Sequence, residues 1–260
     1  MSSSEAQFAA DGPIAYLTFN RPQARNAMTW AMYDALADAC ARVEADDSIR
    51  VLVVRASGEA FIAGTDISQF TAFQSGDDGI AYERRMEEVI GRLERLAVPT
   101  IAQVHGVAAG GGCVIALVCD LRVCTPTARF GVPIARTLGN CLSAANHARL
   151  VDLIGPARTK DLMYTGRLID VAEAQSLGLV TRMADPASID EAVVDLARTI
   201  ASHAPLTIRI TKAALQRLAE HRRLPAGADE DLVSLCYASA DFREGVQAFV
   251  GKRPPRFTGR

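Results

Sequence analysis

The sequence predicts an α/β core followed by a helical C-terminal part, and three features carry that reading. Short β-rich runs alternate with segments of helical apolar spacing through the first half of the chain. From Leu142 onward the pattern is mainly helical. Glycine clusters mark the places where strands give way to helices, so they also mark where a ligand can approach the main chain. The chain has 260 residues, 49% hydrophobic and 22% charged, which suits a globular protein with a substantial buried core.

Each element follows from its own signal. Ile14–Phe19 is β-rich and stops at the turn signal Asn20-Arg21-Pro22. Thr29 stands as N-cap before Met32, Leu36, Ala39, Cys40 and Val43, which recur at helical spacing. Residues 51–54 form a short apolar run of the buried-strand type. A loop through Gly58 and Gly64 follows, and residues 71–79 read as a flexible loop. Met86, Val89, Ile90, Leu93 and Leu96 mark one face of a helix over residues 82–96, with Glu and Arg on the other face and Pro99 beyond its end. Thr100–Val104 is a strand, residues 113–119 a buried helix, and Leu121–Cys124 another strand. Residues 179–182 are the one strand-like stretch of the remainder. The last helices are Ile189–Ser202, 206–220 and 230–249. No linker, low-complexity tract or repeat divides the chain.

Charge and cysteine usage exclude several function classes. Lys+Arg is 28 against Asp+Glu 30, a formal charge of −2, which gives no electrostatic reason to expect nucleic acid or an anionic membrane. No apolar run approaches the roughly 20 residues that span a bilayer. The N-terminus lacks a basic and an apolar region of the signal-peptide kind, so a soluble, cytoplasmic chain is expected. Six cysteines show neither a CxxC pair nor metal-ligand spacing. Reduced thiols and no metal site are the expectation.

Two glycine loops carry the chemistry. Residues 61–66, Phe-Ile-Ala-Gly-Thr-Asp, follow a strand, and residues 108–113, Ala-Ala-Gly-Gly-Gly-Cys, open a helix. Two main-chain N–H groups converging on one carbonyl oxygen would form an oxyanion hole. Turns or close packing are the competing reading of each loop. No GxGxxG follows an N-terminal strand and no GxxxxGK[ST] occurs, which removes dinucleotide and P-loop sites.

With these blocks in place, the chain resembles the enoyl-CoA hydratase/isomerase family, the crotonase superfamily. The resemblance rests on Asn20-Arg21-Pro22 with Asn26-Ala27, on residues 61–66, and on His105-Gly106 through Gly112. It continues through Cys119-Asp120-Leu121-Arg122, residues 128–131, Thr165-Gly166-Arg167, Ala204-Pro205, and Asp241 to Gly245 with Phe249 and Lys252. It implies a spiral of ββα repeats over residues 1–200 and a helical region, 201–260, used for trimers or dimers of trimers. It implies an acyl-CoA thioester as ligand, coenzyme A entering as part of the substrate and no permanent cofactor. The carbonyl oxygen would accept from the N–H groups of Ala63 and Gly111. Arg25, Ala27, Asp66 and Ile67 match CoA-binding segments, and Phe249 and Lys252 match a contact from a neighbouring subunit. Core packing for Phe249, a solvated charge for Lys252 and loop-fixing for Asp66 are the alternatives.

The sequence departs from the family at its acids. A hydratase of the family uses two glutamates to hold and activate water. Their places fall at Val114 and at Ile134, after Phe130-Gly131-Val132-Pro133, or at Ala135 if one residue is inserted. None is an acid. The acyl pocket is expected to be lined by Val114, Ile134, Arg136, Asn140 and Cys141, with Arg136 able to hold an anionic acyl tail. The resemblance therefore implies an acyl-CoA enzyme that stabilises an enolate without the usual hydration chemistry. Decarboxylation fits because the leaving CO2 supplies the enolate. A non-catalytic acyl-CoA binding protein and a hydratase or isomerase with a relocated base are the other readings.

Overall fold

The computed structural model describes residues 5–260. It begins with a hairpin of β1 (Ala6–Asp11) and β2 (Ile14–Phe19). Only Ala6 of β1 is buried, so that strand has no apolar alternation to announce it. Next, α1 (Trp30–Ala45) starts where the Thr29 hydroxyl accepts the Met32 N–H, the expected N-cap. It leads to β3 (Val51–Ala56), parallel to β2. Then α2 (Gly76–Arg95) leads to β4 (Thr100–Val104), parallel to β3. The glycine-rich stretch holds β5 (Val107–Ala109) and α3 (Gly111–Val118), and β6 (Leu121–Cys124) returns beside β4.

The chain then leaves that sheet. β7 (Arg129–Gly131) pairs with β5, and after α4 (Ile134–Thr137) and α5 (Ala144–Thr165) the short β8 (Ile169–Asp170) completes a second sheet in the order β5-β7-β8. Beyond α6 (Val171–Ser176), β9 (Arg182–Met183) closes the larger sheet in the order β1-β2-β3-β4-β6-β9. Four helices end the chain: α7 (Ile189–Ser202), α8 (Pro205–Glu220), α9 (Glu230–Tyr237) and α10 (Ala240–Val250).

Both faces of the large sheet are buried at its central strands. Leu52 and Val54 face the cluster built with α1, α2 and α3, while Val51 and Val53 pack with Ile14, Ile101, Val123 and the α7 residues Val193 and Leu196. That is why residues 51–54 read as a continuous apolar run.

Three expectations are corrected. Residues 71–79 are not a free loop: a 3-10 turn runs to Ala72, and α2 begins at Gly76. The Asp78 carboxylate accepts the N–H groups of Gln74 and Ser75, fixing the helix start. The helix expected over 230–249 is two, because the Ser239 hydroxyl accepts the Phe242 N–H and starts α10 afresh. The strand expected at 179–182 is confined to Arg182 and Met183.

The C-terminal helices return to the core. Val233 and Tyr237 of α9 and Phe242 and Val246 of α10 pack with Phe70 and Leu138. On α8, Lys212 donates to Asp120 at 2.6 Å and to the Val98 carbonyl at 3.0 Å, while Leu206, Ile210, Leu215 and Leu218 are exposed.

Candidate active site

The site is built where three loops are tied together. Arg25 and Asn26 both have left-handed backbone, with φ of 50° and 55°. Such a conformation is uncommon for residues with a side chain, and asparagine tolerates it better than most. Asn26 is fully buried and uses its whole amide. Its Oδ1 accepts from the Arg21 N–H at 2.7 Å, and its Nδ2 donates to the carbonyls of Ser57 and Ala60, each at 2.8 Å. The turn so fixed aims the Arg25 carbonyl at residue 63 and the Met28 backbone at residues 64–66.

Main-chain accounting then separates the donors that are occupied from those that are free. The Ala63 N–H donates to the Arg25 carbonyl at 3.0 Å, so Ala63 is not the free donor expected from the sequence. Met28 N–H donates to the Gly64 carbonyl at 2.8 Å, and Asp66 N–H donates to the Met28 carbonyl at 2.9 Å. This parallel bridge uses the atoms on either side of Thr65 and leaves the Thr65 N–H pointing away from it. Among the described residues, neither the Thr65 N–H nor the Gly111 N–H has an acceptor. Gly111 opens α3, where unpaired N–H groups and the positive end of the helix dipole coincide.

Glycine is required for these loops to meet. A Cβ on Gly112 would stand 2.2 Å from the Ile62 carbonyl oxygen, and one on Gly111 would stand 2.6 Å from the Tyr33 hydroxyl. Ile62 N–H donates to the Val107 carbonyl and Ala109 N–H to the Ile62 carbonyl, lacing the two glycine segments together. Thr65 and Gly111 both line one cavity of about 90 Å3.

Of the expected pocket residues, Val114, Ile134 and Asn140 line this cavity, and so does Ile67. Val114 and Ile134 place aliphatic side chains there and no acid. Arg136 and Cys141 are absent from its lining. Arg136 sits exposed on the single turn of α4, the side of that turn opposite the buried Ile134. Cys141 instead packs with the cluster of Phe70, Tyr237 and Phe242. The neighbouring Cys236 thiol and burial hold the Cys141 pKa above the ordinary thiol range and leave it a poor nucleophile.

Asp66 is engaged in the loop. It accepts from the Ser68 N–H and hydroxyl and pairs with Arg21 at 2.7 Å. Burial pushes its carboxyl up, but the Ser68 bonds and the Arg21 guanidinium outweigh that and hold it below the ordinary range. Arg21 also donates to the Ala27 carbonyl at 2.9 Å, and Arg25 is exposed beside it. Phe249 is 54% exposed at the end of α10, so it is not a core side chain of this chain. Lys252 is exposed just beyond it.

Apart from Asn140, the sequence reading missed the main polar groups of the cavity. Tyr33, Thr65 and Tyr82 form a hydroxyl chain, with Thr65 Oγ1 2.8 Å from the Tyr33 oxygen and 3.1 Å from the Tyr82 oxygen. Burial pushes the Tyr33 phenol up to about 12 and the Tyr82 phenol well above its ordinary value, so both stay neutral. Glu83 also lines the cavity, with 7% of its surface exposed. The signal for it was present: residues 83, 86 and 90 share one helical face, and all three line the cavity.

Two strand-end loops with unpaired main-chain donors, set beside an apolar cavity between a parallel sheet and its helices, define an α/β protein suited to gripping a ligand carbonyl. A model of the enoyl-CoA hydratase/isomerase family matches residues 9–260, and the chain belongs to that family. It is 34% identical over 252 residues to a probable enoyl-CoA hydratase of Mycobacterium tuberculosis, covering 96% of each chain. A crystal structure of an enoyl-CoA hydratase/carnithine racemase from Magnetospirillum magneticum superposes with TM-score 0.81 at 32% identity, covering 100% of this chain and 97% of that one. A methylmalonyl-CoA decarboxylase complexed with 2S-carboxypropyl-CoA gives TM-score 0.90 at 25% identity over the whole of both chains. The expected crotonase-type fold is thereby established.

Proposed function

We propose that the protein binds a short acyl-CoA thioester and stabilises its enolate with the N–H groups of Thr65 and Gly111. The observation that carries this reading is that these two donors lack acceptors among the described residues and line one cavity, whereas the Ala63 N–H is already bonded. Fixed donors aimed at a developing oxyanion act without reorganisation at the moment of reaction. The acyl group is short because a cavity of about 90 Å3 is smaller than the roughly 150 Å3 that admits a benzene ring.

CoA itself is expected along Arg25, Ala27 and the loop at Asp66 and Ile67, with the Asp66 carboxylate serving to fix the loop. The exposed Phe249 and Lys252 suit a contact with CoA in a neighbouring subunit, and the exposed apolar residues of α8 suit an assembly of three chains or two sets of three. On this reading residues 1–200 are the spiral core and 201–260 the oligomerising part, in a cytoplasmic setting that keeps the six cysteines as thiols.

Standard hydration is disfavoured by aliphatic side chains at 114 and 134. Decarboxylation of a carboxyacyl-CoA is the second reading, supported by likeness to the methylmalonyl-CoA decarboxylase. Arg136 lies outside the lining of the cavity, which does not favour it as the anchor of that carboxylate. The test is crotonyl-CoA and butyryl-CoA in heavy water, with mass spectrometry and NMR of the thioester and calorimetry for binding. Deuterium at Cα of butyryl-CoA is expected, with no water added to crotonyl-CoA. Failure of either ester to bind overturns the reading. Binding with no deuterium in either ester reduces the protein to a non-catalytic thioester binder, and rapid hydration shows that another residue or an ordered water replaces both glutamates.

A further inference from the structure

The geometry points to Glu83 as the group that moves the substrate proton in this cavity, held for that task by Tyr237 and Asn140; the inference rests on the reading of the cavity as a thioester site. Glu83 is a carboxyl in the wall of a cavity whose positions 114 and 134 are aliphatic. It is anchored from two other parts of the chain. Its Oε1 accepts from the Tyr237 hydroxyl at 2.8 Å, and its Oε2 accepts from the Ser143 N–H at 3.2 Å. Asn140 Nδ2 donates in turn to the Tyr237 oxygen at 3.2 Å. The other end of that amide, Asn140 Oδ1, is buried and has no partner among the described residues, although Asn140 lines the cavity. A buried acceptor left open beside a ligand cavity is the expected state of a group completed by substrate or by a water.

No cation among its neighbours compensates for the burial of this carboxyl by a direct ion pair among the described residues. Tyr237 and Cys236 face it from α9, Asp229 from the segment ahead of α9, and Cys141 and Ser143 from the loop before α5. Glu87 lies one turn on along α2, and Tyr33 and Tyr82 belong to the same wall. Burial is the largest influence and lifts the Glu83 carboxyl to about 7, against hydrogen bonds from Tyr237 and Ser143 that pull it down. A carboxyl so placed is half-ionised where a base and its conjugate acid are both needed.

The step balances within the enzyme and one substrate. The Glu83 carboxylate takes a proton from Cα; that C–H bond breaks, an O–H bond forms on Glu83, and the C–H electron pair passes into the thioester carbonyl. The resulting oxyanion lies at the Thr65 and Gly111 donors. The same carboxylic acid returns a proton to Cα or, in an enolate conjugated with a double bond, to the γ-carbon. A single carboxyl serves this proton relocation, whereas water addition asks for a water held between two.

The experiment follows deuterium entry at Cα of butyryl-CoA in heavy water between pH 5 and 9, with calorimetric binding of the same ester. The wild-type rate is expected to rise with pH and level off above about 7. Glu83→Gln is expected to lower the plateau by about 100-fold or more while leaving the dissociation constant within about threefold of wild type. Tyr237→Phe removes a hydrogen bond that favours the carboxylate, so it moves the midpoint to higher pH, a shift that a merely structural role would not produce. Wild-type exchange that survives Glu83→Gln overturns the inference and leaves the thioester reading intact. Butyryl-CoA binding without exchange overturns it as well, and absence of binding overturns the reading beneath it. Should Glu83→Gln fail to fold, as judged by circular dichroism, the Tyr237→Phe profile decides: an unmoved midpoint overturns the inference.

Discussion

A Cβ on Gly79 would stand 2.2 Å from Cγ of Tyr237, so α2 and α9 touch main chain to aromatic ring. A second glycine repeats the contact a turn earlier, where a Cβ on Gly76 would stand 2.2 Å from the Ser234 hydroxyl. These two approaches bring Tyr237 within reach of Glu83. The first prediction follows. Gly79→Ala forces the helices apart at a ring that has no room to turn, at a cost of about 1–3 kcal/mol. A thermal melt is expected to show Tm lower by about 2–4 °C for each kcal/mol lost. A melt unchanged from wild type would show that α9 is free to shift.

Asn26 tests the turn that gathers the loops. Asn26→Ala removes the acceptor for the Arg21 N–H and the donors for the Ser57 and Ala60 carbonyls, all at a fully buried position. It also places alanine at a φ of 55°. The expected loss is about 3 kcal/mol in urea unfolding. Asn26→Gly loses the same hydrogen bonds but accepts the backbone conformation, so it should retain about 1 kcal/mol more stability than the alanine variant. Equal midpoints for the two would remove backbone strain from the account.

How much of this was legible in the chain depends on how local each fact is. Thr29 as N-cap and the two-sided burial of residues 51–54 are properties of short segments, and the sequence carries them openly. The glycine loops were legible as places where segments of main chain approach closely. Which N–H is free was not, because Ala63 is occupied by the carbonyl of Arg25, a partner far away in sequence. Arg136 looked like a pocket cation from its neighbours, yet one turn of helix directs Ile134 inward and leaves Arg136 outside. Glu83 shared the helical face of Met86 and Ile90, but its charged surroundings masked that signal. Glutamate and arginine crowd α2, and a charged helix face ordinarily means solvent; only Gly76 and Gly79, read as loop residues, admit α9 close enough to bury it.

Glu94 contributes to stability against acid. It lies between Arg149, at 2.7 Å, and Arg223, at 2.7 Å. Burial pushes its carboxyl up, but hydrogen bonds from Arg223 and Arg149 prevail and hold it at about 2, below its ordinary 4.5. A folded-state value below the unfolded one means that stability is present above about pH 4.5 and is lost as pH falls toward about 2. The amount is about 3 kcal/mol at roughly 1.4 kcal/mol per pH unit. Glu94→Gln is expected to be less stable at pH 7 and to lose less on acidification to pH 3, as read by urea midpoints. Parallel pH profiles for variant and wild type would contradict it.

Glu83 acts with the opposite sign. Burial raises its folded-state value to about 7 from an ordinary 4.5, so between those limits the folded chain holds a proton that the unfolded chain has released. Stability must therefore fall as pH rises from about 4.5 through about 7. The loss amounts to about 3 kcal/mol, at roughly 1.4 kcal/mol for each pH unit. A neutral amide escapes this loss. Glu83→Gln, matched to wild type at pH 4.5, should gain on it steadily and be more stable by about 3 kcal/mol at pH 8. That gain would accompany the loss of Cα exchange, so the same substitution raises stability where it removes chemistry, as expected when a buried carboxylate is kept for function. Urea midpoints for the two proteins at pH 4.5, 6 and 8 are the measurement. A gap that stays constant across that range would mean the Glu83 carboxyl is ionised throughout and that its surroundings solvate the charge.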